Sequence, residues 1–328
     1  MENKFLLKVE NLKINLKENK KNLSIVRNLS FNLFRNETLC IVGESGCGKS
    51  ITALSIMRLL PVPPFEINGK IFWKDVDLLS TDIKRMYDIR GKEIAIIFQE
   101  PLTSFNPVEK IGDQILEVIK LHTDTDMKIA KEMVYEILKH VGFKHPVQQY
   151  ELFPHELSGG MRQRAMIAMA IILKPELLIA DEPTTSLDVT IQAQVLGLIQ
   201  RLKEEYGLSM IFITHNLGIV AQIAQNVLII YAGKEVEYAN VVDLFRQPLH
   251  PYTKGLLESV PSLQKGSKLK SIPGIPPEPS SIPSGCPFHT RCEKKMKVCE
   301  VEEPPFNEIE KSHFVACWLY DKSGERNG

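Results

Sequence analysis

Three short apolar runs along the chain are each followed by polar residues. The runs are LCIV at 39–42, LLIA at 177–180 and LSMIFIT at 208–214. Apolar runs of this length, bounded by turn or polar residues, are typical of buried strands. Two further apolar-rich segments, at 50–60 and 161–173, have the pattern of helices, and glycines precede both of them. The pattern predicts buried strands followed by glycine-bearing turns and helices.

The turn between the first strand and the first helix reads GESGCGKS and fits the pattern G-x-x-x-x-G-K-[ST]. Its glycines let backbone N–H groups wrap around phosphate oxygens, and the helix start adds the positive end of its dipole. Lys49 can reach the β- and γ-phosphates, and the Ser50 hydroxyl can bind Mg²⁺. The sequence therefore predicts a nucleotide cradle made of Gly43, Glu44, Ser45, Gly46, Cys47, Gly48, Lys49 and Ser50.

The second and third runs end on side chains suited to phosphate chemistry. Asp181 follows the second run, and a carboxylate beside a phosphate loop can hold Mg²⁺ directly or through water. The next residue, Glu182, can orient and deprotonate an attacking water. His215 follows the third run, where an imidazole can hydrogen-bond the γ-phosphate and that water. A purely structural role for these strand ends is the alternative that spacing alone leaves open.

A second anion-binding surface is predicted at the start of the helix at 161–173. Ser158 is a good N-cap residue, and Gly159 and Gly160 leave bare N–H groups at the helix N-terminus. One chain has no obvious need for two such surfaces on a single nucleotide. The stretch therefore raises the question of whose phosphates it binds.

Composition narrows the class of protein. The 328 residues include 40 basic and 40 acidic side chains, so net charge gives no indication of nucleic-acid binding. No apolar run reaches the roughly 18–20 residues that a membrane span needs, and the N-terminus has no signal-peptide core. We therefore expect a cytoplasmic chain. Clustered cysteines there indicate metal or redox chemistry more often than disulfides.

Five motifs together resemble the nucleotide-binding subunit of ABC transporters. In chain order they are GESGCGKS, Gln99 in IIFQEP, LSGGMRQR, LLIADEPTTSLD and FITHNL. The resemblance implies an α/β fold, the P-loop NTPase cassette, with a RecA-like core, an antiparallel β subdomain and an α-helical subdomain. We expect this ATPase domain at 1–245, its helical subdomain at about 102–165, and a small cysteine-containing extension at 246–328.

The same resemblance implies catalytic roles. Glu182 would be the base for ATP hydrolysis, His215 the switch histidine and Lys49 the phosphate-binding lysine. Gln99 would sense the γ-phosphate and Mg²⁺. The metal ion would be held by Ser50, Gln99 and Asp181.

The resemblance also answers the question raised by the second anion-binding surface. In this family the signature residues, here Ser158, Gly159 and Gly160, contact the nucleotide bound to the opposite subunit. Asp188 would lie in the D-loop. The implied assembly is a head-to-tail dimer with a second ABC ATPase subunit, either a paralogue or a copy of this chain, that sandwiches two ATP molecules.

Segments beyond the cassette resemble dipeptide and oligopeptide importer ATPases. They read LFRQPLHPYTKGLLESVPSL at 244–263, IPGIPP at 272–277 and GCPFHTRC at 285–292. The implied function is to power peptide import, together with two membrane permeases and an extracytoplasmic substrate-binding protein, at the cytoplasmic face of the membrane and without nucleic acid. The alternatives are import of nickel or another small solute and, less favoured, a non-transport regulatory ATPase.

Two features depart from a plain cassette. The family usually stacks an aromatic residue on adenine, whereas the matching position holds Leu16, which puts base selectivity in question. The extension contains Cys286, Cys292, Cys299 and Cys317, with gaps of five, six and seventeen residues. Structural zinc sites usually have tighter pairs. Four thiolates suit an iron–sulfur cluster, and the resemblance implies [4Fe–4S]. Zn²⁺ and unmetallated packing thiols are the alternatives.

Overall fold

The computed structural model describes residues 5–18, 21–185, 187–260 and 271–320, except for the side chains of Leu102 and Thr103. The strands in these ranges are β1 Leu7–Glu18, β2 Lys21–Leu33, β3 Thr38–Val42, β4 Phe65–Trp73, β5 Val76–Asp77, β6 Ile94–Ile97, β7 Leu177–Asp181, β8 Ser209–Thr214, β9 Asn226–Tyr231, β10 Lys234–Asn240, β11 Phe306–Glu310 and β12 His313–Ala316. The helices are α1 Lys49–Ile56, α2 Ile83–Ile89, α3 Pro101–Ser104, α4 Ile111–His122, α5 Met127–His140, α6 Pro146–Tyr150, α7 Gly159–Ile171, α8 Val189–Tyr206, α9 Leu217–Ile223, α10 Val241–Arg246 and α11 Pro251–Glu258.

Two compact units make up the chain. The first combines Met1–Leu79 with Ile213–Gly328, and the second is Ser80–Phe212. The helical subdomain expected at 102–165 falls within the second unit. The division expected at residue 245 lies inside the first unit and stays a prediction. Both expected domains include residues outside the described ranges.

The first unit contains an antiparallel sheet and a group of strands around β3. In the antiparallel sheet the order is β2-β1-β4-β5, and Leu7 faces Leu33 on one side and Trp73 on the other. Strand β3 pairs in parallel with β9. Beyond β9, the strands β10, β12 and β11 follow in that order, and each is antiparallel to the one before it. All five residues of β3 are buried. A strand buried on both faces has no polar alternation, which is why the sequence shows a continuous apolar run.

In the second unit β6 and β7 pair in parallel, and seven helices accompany them in the described residues. Strand β7 is buried at all five positions. Helix α5 buries Ala130, Val134, Ile137 and Leu138, a stripe with the spacing of one helix face. Helix α7 buries more of its surface and lacks a single apolar face, as expected for a helix surrounded by other elements.

The elements expected from the apolar pattern are present. Strands β3, β7 and β8 and helices α1 and α7 confirm them. Helix α1 ends at Ile56, four residues earlier than the pattern predicts. Arg58 adopts a left-handed backbone with φ 47°, and such a residue commonly ends a helix. The apolar residues at 59–60 therefore lie beyond the helix.

Candidate functional site

The glycine-rich loop at 43–48 joins β3 to α1 in the first unit. A side chain at position 43 would place its Cβ 2.3 Å from the Ile230 carbonyl oxygen of β9, so only glycine fits. Gly48 has φ 98°, a conformation that favours glycine, and is the residue from which α1 begins. The loop is thus held close to the sheet and turns directly into a helix N-terminus, as the motif requires.

Lys49 lies inside this loop. Its side-chain ammonium donates to the carbonyl oxygens of Gly43 at 2.8 Å and Glu44 at 3.0 Å, and the residue is 4% exposed. Cys47 is also buried, with its sulfur 3.9 Å from Lys49 Nζ, and burial raises the pKa of its thiol. The loop therefore concentrates one positive charge at its centre and keeps the neighbouring thiol neutral.

The acidic strand end lies in the second unit. Asp181 closes β7 and is buried, and Glu182 follows it with φ 45°, a strained backbone for a residue other than glycine. The Glu182 carboxylate accepts hydrogen bonds from Thr185 Oγ1 at 2.9 Å and from Gln99 Nε2 at 3.4 Å. The structure thus brings together Gln99 and Glu182, two residues that the motifs placed 83 positions apart.

The signature stretch is also in the second unit and lies at its surface. Ser158 Oγ accepts from the Met161 N–H at 3.3 Å and caps α7, while Gly159 and Gly160 form its first turn. Ser158 and Gly159 are exposed. Asp188, exposed as well, caps α8 by accepting from the N–H groups of residues 190 and 191 at 3.0 and 2.9 Å. Both helix starts therefore face outward from the unit.

His215 belongs to the first unit, directly follows β8 and is exposed. The next residue, Asn216, caps α9 by accepting from the Gly218 N–H at 2.9 Å. Asparagine is a favoured N-cap residue, so the Asn216 side chain fixes the turn that presents His215.

Leu16 is half-buried on β1 and stands between Leu23 of β2 and Phe65 of β4 in the antiparallel sheet. Directly opposed residues point to the same face of a sheet. The aromatic ring of Phe65 therefore lies beside Leu16, the position where the resemblance predicts an aromatic residue. No local signal in the sequence points to Phe65, because its pairing with Leu16, 49 positions away, depends on the register of β1 and β4.

A buried polar network that joins β10 to the extension is another feature that the motifs did not reveal. Glu237 is fully buried and accepts from the N–H groups of Leu249 and His250 at 2.7 and 2.8 Å. Its Oε1 also lies 2.8 Å from His313 Nε2. Burial lowers the pKa of His250 to about 4, so this imidazole is neutral at pH 7. Its Nδ1 accepts from the Tyr252 N–H at 3.0 Å and caps α11.

The network reaches the glycine-rich loop within the first unit. Tyr252 is fully buried, and its hydroxyl accepts from the Glu44 N–H at 2.9 Å. The HPYT stretch, which the sequence offered only as a family signature, thus contacts the second residue of the loop. His250 thus holds the backbone of Tyr252, and the Tyr252 hydroxyl holds the loop backbone at Glu44.

The four cysteines of the extension line one small cavity together with His250 and His289. Burial raises the pKa of Cys286 to about 11 and that of Cys317 to about 12. The expected iron–sulfur cluster nevertheless finds no support. In the part of the chain that is described, no three or more His, Cys, Asp or Glu side chains have the arrangement of a metal site.

Comparisons with known proteins agree with this geometry. The ABC transporter family model matches residues 26–185, and the oligopeptide/dipeptide transporter C-terminal region matches residues 236–299. The chain is 47% identical over 98% of its length to the dipeptide transport ATP-binding protein DppD of Bacillus subtilis (strain 168), covering 96% of that protein. It is 46% identical over 96% of its length to the oligopeptide transport ATP-binding protein OppD of the same strain, covering 88% of it.

Solved structures show the same fold. A dimeric ATP-binding cassette in a post-hydrolysis state bound to ADP and Pi has a TM-score of 0.64 at 22% identity, over 72% of this chain and 98% of that one. A cassette from the cbiONQ transporter complex of Clostridium perfringens has a TM-score of 0.63 at 23% identity, over 74% of this chain and 92% of that one.

The fold and the glycine-rich loop define an ABC ATPase cassette. The chain belongs to the ABC transporter family, in the group that carries the C-terminal region of oligopeptide/dipeptide transporters, and it is an ATP-binding and ATP-hydrolysing subunit. No helix in the described residues is long and apolar enough to cross a membrane.

Proposed function

We propose that this ATPase powers the import of dipeptides or oligopeptides. The observation that carries the proposal is the extent of the match to peptide-transport relatives, which covers 98% of the chain and includes the C-terminal region. A resemblance confined to the cassette would fit any ABC transporter. The extension is the part that distinguishes the peptide-transport group.

For hydrolysis, we propose that the loop at 43–50 binds the triphosphate. Lys49 and the loop N–H groups stabilise charge on the γ-phosphoryl group as water attacks in line. Ser50, Gln99 and Asp181 would hold Mg²⁺, which would offset the negative charge of the triphosphate when bound. The buried position of the Lys49 ammonium among the loop carbonyls supports this assignment.

Glu182 is the proposed base that deprotonates the attacking water, and His215 contacts the γ-phosphate. The hydrogen bonds that Glu182 receives from Thr185 and Gln99 hold its carboxylate in one orientation. A base contributes roughly 10²–10⁴ in rate. We expect Glu182→Gln to lower ATP turnover by about this factor while ATP binding persists and a closed dimer accumulates in MgATP.

The matched control is Thr185→Ala, which removes a hydrogen bond to Glu182 but keeps the carboxylate. We expect it to lower turnover by about tenfold or less. Single-turnover hydrolysis and size-exclusion chromatography in MgATP measure both effects. Normal turnover in Glu182→Gln would overturn the assignment of the base.

We further propose a head-to-tail ATPase dimer. Ser158, Gly159 and Gly160 lie at the surface of the second unit with their helix N-terminus facing outward. This exposure suits contact with a nucleotide on a second ABC ATPase, which is a paralogue or a copy of this chain. The D-loop residue Asp188 caps a neighbouring exposed helix start and belongs to the same proposed face.

The proposed assembly also contains two membrane permeases and an extracytoplasmic substrate-binding protein, with this subunit at the cytoplasmic face of the membrane. Reconstitution of the complex in proteoliposomes tests the substrate. Stimulation of ATP hydrolysis by peptide-loaded binding protein supports peptide import. Stimulation by Ni²⁺ alone favours the nickel alternative, and a stable ATP-dependent dimer that joins no permease favours a regulatory ATPase.

The [4Fe–4S] cluster at Cys286, Cys292, Cys299 and Cys317 is a finer proposal, with Zn²⁺ as its alternative. The four thiols line one cavity, whereas no group of three or more His, Cys, Asp or Glu side chains in the described residues has the arrangement of a metal site. Anaerobic purification tests the proposal. Visible absorbance that reduction bleaches supports iron, a colourless protein with stoichiometric zinc supports Zn²⁺, and a metal-free folded protein leaves packing thiols.

A further inference from the structure

Arg291 lies in the extension, between two of the four cysteines, yet it contacts the nucleotide loop. Its Nη1 donates to Glu44 Oε2 at 2.6 Å and its Nη2 donates to Glu44 Oε1 at 3.0 Å. The two residues are 247 positions apart in the sequence. Two parallel N–H···O bonds form the fork geometry that only arginine offers to a carboxylate.

The guanidinium is held on its other sides as well. Its Nε donates to the Pro273 carbonyl oxygen at 2.8 Å, and Nη1 also lies 3.3 Å from the Tyr231 hydroxyl. The rings of Tyr231 and Phe288 lie 5.8 and 5.9 Å from it. Only 3% of the Arg291 side chain is exposed, against 27% for Glu44. An arginine buried to this degree and bonded through all three nitrogens has little freedom to move.

Glu44 is therefore fixed at every polar group. Its N–H donates to Tyr252, its carbonyl accepts from Lys49, and its carboxylate accepts from Arg291. Two of these three partners belong to the extension. Residues 275–279 of the proline-rich segment also line a groove with the loop residues 44–47. The extension thus packs along the outer side of the loop while Lys49 occupies its inner side.

We infer that Arg291 is a positioning residue for ATP binding, which holds the nucleotide loop in a preformed shape through its forked ion pair with Glu44. Without the pair, the loop must be ordered when nucleotide binds, and that ordering lowers affinity. The inference rests on the proposed role of the loop at 43–50 as the nucleotide cradle.

The test measures the affinity of the full-length chain for Mg²⁺ with a slowly hydrolysed ATP analogue. We expect Arg291→Gln to raise Kd by about tenfold, and Arg291→Lys to restore only part of the loss because an ammonium cannot fork. Glu44→Gln should raise Kd several-fold. The double variant should be no worse than Arg291→Gln, because both changes break the same pair.

Lys295→Gln is the matched control, since it breaks an exposed ion pair with Glu300 in the same segment. Its Kd should stay unchanged. Additive losses in the double variant, or a Glu44→Gln that binds as tightly as the parent or more tightly, would overturn the inference. So would an Arg291→Gln that lowers only the melting temperature. Lys49→Ala tests the cradle role of the loop separately from the positioning role of Arg291. If this variant leaves Kd unchanged, the cradle role itself fails.

Discussion

The two glycine-bearing helix starts of this chain differ in how they are enclosed. At α1 the loop is pressed against β9, Lys49 is buried within it, and the extension packs on its outside. At α7 Ser158 caps the helix with its own hydroxyl, Ser158 and Gly159 are exposed, and Gly160 is half-buried. A phosphate surface with its own buried cation can serve a nucleotide in the same chain. One that faces outward without it suits a nucleotide brought by another subunit.

The largest effect is expected at the enclosed start. Lys49→Ala removes the only cation that the loop holds at its centre, so both nucleotide affinity and turnover should fall, turnover by roughly 10²–10³-fold. Fluorescent-nucleotide titration of the isolated chain and steady-state ATPase assays measure the two. An unchanged affinity would show that the enclosed loop is not the nucleotide cradle.

Substitutions at the exposed N-terminus of α7 should change the activity of the assembled dimer only. Gly159→Asp adds a carboxylate at a position where, among the described residues, an added Cβ meets only the Leu187 Cδ2 at 3.9 Å, so we expect the fold to tolerate it. Repulsion of the partner's phosphates should lower ATPase activity of the assembled dimer by about tenfold to a hundredfold.

Gly159→Ala is the control for this variant, because it adds the same Cβ without the charge and should retain most activity. Nucleotide affinity of the isolated chain should stay the same in both variants. A loss of affinity in the isolated chain would remove the distinction between the two helix starts.

The N-terminus of a third helix, α11, is capped by the buried side chain of His250. Its pKa of about 4 in the folded chain lies below the usual 6.5, so protons bind the unfolded state preferentially between these values. The stability that this group contributes is present above pH 6.5 and is lost as pH falls toward 4, by about 3 kcal/mol in all. Melting temperatures between pH 7 and pH 4.5 measure it. His250→Asn, which keeps a capping side chain, should flatten the slope, and an equally steep slope would contradict this account.

The smallest expected effect concerns binding of the adenine ring of ATP and not binding of its phosphates. Leu16→Phe restores an aromatic side chain beside Phe65, and stacking on adenine should tighten ATP binding by about fivefold. Because this gain in affinity arises at the adenine ring, Gly159→Asp and Leu16→Phe should have independent effects. Competition between ATP and tripolyphosphate for the isolated chain measures the gain. Equal tightening of both ligands would place the effect at the phosphate loop instead.

Local signals in the sequence identified a large part of this architecture. Strand β3, the glycine turn and α1 are consecutive, and their apolar run, glycine spacing and lysine are all visible within twenty residues. The same is true of Asp181 and Glu182 at the end of β7 and of Ser158 at the start of α7. The early end of α1 was missed, because the left-handed backbone at Arg58 has no marker among the neighbouring apolar residues.

The four cysteines of the extension show a second feature that the sequence could not predict. Composition and resemblance predicted a metal cluster, and the structure does bring the four thiols to one cavity without the ligand arrangement of a metal site. Residue type identifies potential ligands. Distances and directions among thiols that are up to 31 positions apart depend on how the whole extension packs.

The sequence by itself determined the family, the order of its motifs and the residues proposed to bear their chemistry, because each motif is a short segment whose spacing sets its local shape. Only the tertiary structure decided that Tyr252 and Arg291 of the extension contact Glu44 in the nucleotide loop. Such pairs join residues more than two hundred positions apart. Their partners are chosen by packing around a shared core, for which no local pattern in the chain provides a signal.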